Sequence, residues 1–229
     1  MKYLLIIIFL ISNQQKSQDL VKGLILAGEN FDVCCIYIPN SGLRIYDEPN
    51  GVSIGKLTLG SSDNNTEAYQ SYIQIGSQRS DFDYSNLHMV GYEIMAIVYT
   101  DIIDDFVGIK NGYWLSITEL KSKGLVLTTW MEYLINKDGV LGWYANEPGL
   151  NLRTEPNTGS EILATLKGTL WEITPINETR GLWCKVKVKE YREHPCMGEG
   201  DLIVRTITGW IKLLSDEQTP NVWNYSKGC

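Results

Sequence analysis

A nine-residue motif occurs twice in this chain and limits what it can fold into. Gly149-Leu150-Asn151-Leu152-Arg153-Thr154-Glu155-Pro156-Asn157 is preceded, 107 residues upstream, by Gly42-Leu43-Arg44-Ile45-Tyr46-Asp47-Glu48-Pro49-Asn50. Gly, Leu, Glu, Pro and Asn are identical at matched positions, and Ile45 stands where the second copy has Leu152. Repetition at the spacing of a small domain means one unit used twice. Within the motif Leu150 and Leu152 alternate inward as a core strand, Pro156 stops it, and Asn157 suits the turn that follows.

The segments around each motif read as short strands. In the first unit these are 33–39, 43–46, 54–59, 69–75 and 92–99, with polar loops at 61–67 and 76–86 and an acidic turn at 101–105. Asn111-Gly112, between 106–109 and 113–115, is the strongest short hairpin signal in the chain. In the second unit they are 141–144, 150–153, 161–166, 170–174, 181–188 and 201–207, after which Gly209-Trp210-Ile211 leads to Leu213-Leu214. The stretch 121–139 between the units is a connector with a short helix. There Thr129-Trp130-Met131-Glu132 has the capping-box pattern, with Thr129 as N-cap and Glu132 reaching back. Five or six short strands per unit, joined by Gly, Pro and Asn turns, predict an all-β fold of two small barrels that close to hide their edges.

The second unit resembles a bacterial Src-homology-3-like (SH3-like) domain. The landmarks are Gly149-Leu150-Asn151-Leu152-Arg153 with Pro156, then Ser160 with Ile162-Leu163, Lys167-Gly168-Thr169, Gly181-x-Trp183-x-Lys185-Val186, and Gly209-Trp210-Ile211. The loop between Val188 and Gly209 is longer than the family usually has. The first unit shares the opening motif and ends on Gly112-Tyr113-Trp114-Leu115, but lacks the G-x-W-x-K-V element. The resemblance implies two tandem SH3-like β-barrels: a divergent one at 19–120 and a clear one at 140–215, followed by a tail at 216–229. It also implies a binding or targeting role, since such units in exported bacterial proteins sit beside cell-wall enzymes and are thought to hold peptidoglycan or peptides.

The N-terminus supports export. Lys2 precedes an apolar run from Leu4 to Ile11, too short to span a bilayer, and polar residues follow. Residues 1–18 therefore read as a signal peptide, with a buried strand or an uncleaved interfacial anchor as the other readings. The expected location is periplasmic or secreted. Loss of Lys2 and Lys16 with that leader takes the formal charge from −7 to −9. Nucleic acid and anionic headgroups need a basic footprint, so neither is an expected partner. Five cysteines, at 34, 35, 184, 196 and 229, leave an odd thiol in an exported chain. Cys184 and Cys196 flank a charged turn and could pair, whereas Cys229 stands free to reach a partner.

Tyr46 and Arg153 occupy the same motif position ahead of a loop and border any groove the units form, unless they belong to a solvated strand face. Trp183 and Trp210 are candidates to line such a groove by stacking, although most large aromatics are core. Catalysis finds little support. No cysteine heads a helix-like segment to pair with His88 or His194, and Asp81, Asp83, Asp101, Asp104 and Asp105 read as solvated loop charges. Glu193, His194, Cys196 and Glu199 have no second ligand pair, so no metal and no cofactor is expected. The expectation is an exported, non-catalytic protein whose SH3-like modules recognise a cell-envelope ligand such as peptidoglycan or a peptide. The alternative is a protein-interaction or inhibitor role, with the acidic surface docking on a basic partner.

Overall fold

The computed structural model describes residues 22–29, 36–62, 65–136, 142–194 and 201–224. The first sheet contains β1 (Gly23–Ala27), β2 (Leu43–Tyr46), β3 (Ser53–Ser62), β4 (Asn65–Ile75), β5 (Gln78–Asp81), β6 (Leu87–Gly91), β7 (Ile94–Ile103), β8 (Phe106–Ile109), β9 (Trp114–Ser116) and β10 (Leu125–Thr129). Two short helices, α1 (Ile117–Ser122) and α2 (Trp130–Asn136), flank β10. The second sheet contains β11 (Trp143–Ala145), β12 (Leu150–Arg153), β13 (Ile162–Leu166), β14 (Trp171–Arg180), β15 (Trp183–Tyr191), β16 (Ile203–Lys212) and β17 (Val222–Asn224). All ladders between these strands are antiparallel.

The strand orders reveal the duplication in full. The second sheet runs β13-β12-β16-β15-β14-β11-β17, and the first contains β3-β2-β9-β8-β7-β1-β10, the same path strand for strand. In both, the opening motif pairs with the strand after it and slips register at one place, between Ile45 and Tyr46 or between Leu152 and Arg153. In both, the residue after the slip faces a tryptophan: Tyr46 pairs with Trp114 and Arg153 with Trp210. Even the bond beyond the closing strand recurs, from Gly28 N to Gly124 O at 2.8 Å and from Asn146 N to Asn221 O at 2.9 Å. The first unit differs by an insertion of β4, β5 and β6 where the second turns directly from β13 into β14.

The motif glycine is explained by this ladder. Gly42 and Gly149 have φ of +73° and +111°, and a Cβ there would stand 2.9 Å from Leu57 O and 2.7 Å from Leu166 O. Any other residue would meet both backbone strain and the backbone of the facing strand.

The all-β expectation holds, but closure does not. Neither path returns to its first strand, so the sheets are open ladders of ten and seven strands rather than closed barrels of five or six. The expected connector contains its helix, and Thr129 N donates to Glu132 Oε2 (2.9 Å) while Glu132 N donates to Thr129 Oγ1 (3.2 Å), as the capping box requires. The same stretch also supplies β10 to the first sheet, and the expected tail supplies β17 to the second. The polar segment 76–86 is not one loop: Gly76-Ser77 turns β4 into β5.

Two cores result. The first gathers Ile25, Leu43, Ile45, Leu57, Ile97, Val107 and Leu115 from one face of the first sheet. The second takes Trp143, Leu152, Leu166, Ile173, Val186, Ile211 and Val222, so one face of all seven strands feeds a single core. It also takes Leu24 and Ala96 from the other face of the first sheet, and Trp130, Met131, Tyr133 and Leu134 from α2. The two units therefore share a core. This explains Leu24-Ile25-Leu26, which does not alternate: β1 is buried on both faces.

Register also exposes an imperfect match. Ile25 lies between Ile97 and Leu127, and its counterpart Trp143 lies between Ile173 and Asn224. Asn224 is 2% exposed, and its Oδ1 has no hydrogen-bond partner among the described residues. An unsatisfied buried acceptor costs about 1–3 kcal/mol. Asn224→Leu, which copies Leu127, is expected to raise the thermal midpoint by about 2–4 °C. A lower midpoint by calorimetry would show that the amide is needed.

Candidate functional site

Strand register lays a four-residue row across each sheet at the motif. In the second it is Glu178, Lys185, Trp210 and Arg153; in the first it is Asp101, Gly108, Trp114 and Tyr46. Residues directly opposite share a face. Trp210 sits on the outer face of the second sheet yet is 4% exposed. It is covered by the Arg180 guanidinium at 5.1 Å and the Lys185 ammonium at 5.7 Å. Lys185 Nζ donates to Glu178 at 2.8 Å, and that bond holds the Glu178 carboxyl below the usual carboxylate range. Arg153 Nη1 donates to Ser160 O at 2.6 Å, which ties the motif to its own loop. Trp183, half-buried, pairs with Arg180 and Lys212 on the same face.

The first row lacks these cations. Trp114 lies across Gly108, where an added Cβ would stand 3.3 Å from the ring. Tyr46 is 7% exposed and packs edge-on against Phe106 at 5.1 Å. Of the four residues singled out from sequence, Arg153, Trp183 and Trp210 thus come together on the second sheet, while Tyr46 is packed into the first. Neither Tyr46 nor Trp210 presents an open ring face.

Other rings line a cleft of about 840 Å³ between the units. One wall comes from β6 and β7 through Leu87, His88, Met89 and Val98, with Trp130 at the start of α2. The other comes from Tyr144 of β11 and its ladder partner Trp223 of β17. The rings form a connected cluster. His88 meets Trp130 at 5.0 Å and Trp223 at 4.2 Å, and Trp130 lies 6.0 Å from Trp223. Tyr133 stacks on Trp223 at 5.8 Å, and its hydroxyl donates to Val90 O at 3.3 Å. Burial raises the Tyr133 phenol above its ordinary range. Trp130 is 3% exposed and forms the back of the cleft, whereas His88 and Trp223 are half-buried and reach its surface. Ser85, Thr100, Asn146 and Thr219 add polar groups, and Lys22 and Lys110 add positive charge.

Sequence reasoning missed this cleft. Trp130 stands in the capping box and Trp223 in the expected tail, and neither position marks a site. The one available signal was a tryptophan in each segment outside the motif-bearing units.

Three of the loop aspartates make hydrogen bonds within the fold. Asp104 accepts from Asn50 Nδ2 (3.0 Å), Asp101 from Thr100 Oγ1 (2.9 Å), and Asp105 from Ser116 Oγ and Thr118. Trp171 packs half-buried against the second core, with Arg205 5.7 Å from its ring. Among the described residues no group of three His, Cys, Asp or Glu side chains is placed to hold a metal ion, and no helix is long and apolar enough to cross a membrane. The expected leader, Cys34, Cys35, Cys196 and Cys229 lie outside the described residues.

Cys184 is a free thiol, fully buried on the inner face of β15. Burial pushes it up from 9.0 to about 12, and burial first, then Glu132, pushes Tyr99 up from 10.0 to about 12. Both folded values are raised, so their contribution to stability is complete below the unfolded values and is lost as pH rises through the window from 9.0 to about 12. Denaturant midpoints are expected to fall across that window, and Cys184→Val is expected to flatten its lower part. An unchanged slope in that variant would assign the loss to other groups.

No family model, curated protein or solved structure matches the chain.

Proposed function

We propose that this is an exported, non-catalytic binding protein, built from two SH3-like units, that holds a cell-envelope polymer such as peptidoglycan or its peptide in the cleft between them. The observation that carries this reading is the cleft itself. At about 840 Å³ it falls within the range of about 300–1,000 Å³ usual for ligand sites, and it combines apolar rings with a few polar groups. The SH3-like assignment is supported by the order of the landmarks along β12 to β16, and by a sheet whose single inner face gathers one core. The unpaired edges that closure would have hidden are left to β13 and β17 in the second unit. Export is supported by the apolar run behind Lys2.

The test is co-sedimentation of the purified protein with insoluble peptidoglycan at low and at high salt. Retention is expected at both, and Trp223→Ala is expected to abolish it. Trp183→Ala, on the outer face of the second sheet, is expected to bind like the parent. No retention of the parent would remove the polymer reading. Loss in Trp183→Ala with retention in Trp223→Ala would move the site to the Trp183 and Trp210 surface.

A further inference from the structure

We propose that the segment of ligand taken by the inter-unit cleft is an anionic saccharide, a sugar stacked on Trp223 and His88 with its acidic group held by Lys22 and Lys110; this rests on the binding reading above. The cleft's charge is opposite to that of the chain. The protein carries a formal charge of −7, yet the described residues lining the cleft include two lysines and no carboxylate. Lys22 is half-buried at the head of β1 and makes no ion pair among the described residues. Its backbone is fixed from both sides, since Lys22 O accepts from Trp130 N (3.1 Å) and Lys22 N donates to Gln218 Oε1 (3.4 Å). That places the lysine between α2 of the first unit and the β16–β17 turn of the second.

Lys110 is exposed in the β8–β9 turn. The acid that faces it is Asp83, whose Oδ1 already accepts from Ser85 N at 2.7 Å; that bond, more than Lys110, depresses the Asp83 carboxyl. Lys110 itself makes no ion pair among the described residues.

The rest of the lining suits a sugar better than a flat aromatic anion. Trp223 and His88 line the cleft half-buried, and the ring surface they leave uncovered suits the apolar face of a pyranose. Ser85, Thr100, Asn146 and Thr219 supply hydroxyl and amide groups around it. Hydrogen bonds from an ammonium to an acidic group are about twice as strong as neutral ones, so the acid sets the preference. The net negative charge of the whole chain repels the same ligand at long range, and salt screens both effects. A salt titration therefore does not separate them, and a matched neutral probe does.

The experiment is isothermal titration of the purified protein with tetragalacturonate and with its fully methyl-esterified, uncharged counterpart. The acid is expected to bind at least about tenfold more tightly than the ester. Lys110→Gln, at an exposed position, and Lys22→Gln are each expected to weaken the acid about tenfold and leave the ester unchanged. Equal affinity for acid and ester, or unchanged acid binding in both lysine variants, overturns the anionic preference. If peptidoglycan is still retained through Trp223 in that case, the binding reading stands without it. If the protein binds neither tetrasaccharide nor peptidoglycan, both fall together.

Discussion

Trp143→Ala is expected to lower the stability of the whole protein by about 3–5 kcal/mol, the usual range for deleting a fully buried large aromatic. Trp143 is 1% exposed and lies in the middle of three strands, paired with Ile173 on one side and Asn224 on the other. Its core includes Leu24 and Ala96 of the first sheet and the apolar residues of α2. The loss should therefore appear as one shifted unfolding transition, not as early melting of the second unit alone. Circular dichroism and tryptophan fluorescence followed in the same denaturant series provide the check. A change below about 1 kcal/mol would mean that the site collapses around the truncation, and two separated transitions would contradict a shared core.

Trp130→Ala is the second large effect, and it joins stability to binding. Trp130 is 3% exposed and contacts His88, Tyr133 and Trp223 at 5.0, 6.4 and 6.0 Å. Truncation removes the buried ring and three edge-to-face contacts, for an expected loss of about 3–5 kcal/mol. The back of the cleft goes with it, so retention on peptidoglycan is expected to vanish under conditions where the variant is still folded. A folded variant that binds like the parent would show that the cleft is not the site. The comparison with Trp223→Ala separates the roles, because Trp223 is half-buried and its loss should cost less stability for the same loss of binding.

What could be read from the sequence followed physical period. Leu150 and Leu152, Asn111-Gly112 and the Thr129 capping box are local signals, and each appears in the structure where its chemistry put it. β1 escaped notice because burial on both faces removes the alternation that marks a strand. β5 escaped because all four of its residues are exposed, so polarity looked like a loop. β10 and β17 were missed because each closes onto a strand far back in the chain, a fact of pairing that no local pattern carries. The cleft was illegible for the same reason. His88, Trp130 and Trp223 belong to three separated segments and meet only through the packing of α2 between the units. The matched position of Tyr46 and Arg153 was legible, but not that one is packed against Phe106 and the other tied to Ser160.

The identity of the two strand paths bears on how the molecule is assembled. β1 and β11 each wait for a closing strand from far downstream, with Gly23 meeting Thr129 and Trp143 meeting Asn224. Such non-local closures are slow to form, and the two closing strands hold equivalent places in the two paths. During synthesis β10 becomes available to β1 before β17 has been made, and domains form in N-terminal order. Refolding from denaturant removes that order. Two acceptors and two donors are then present at once, the situation in which exchange between chains gives swapped dimers. The order in which the chain is made is therefore part of what selects its native pairing.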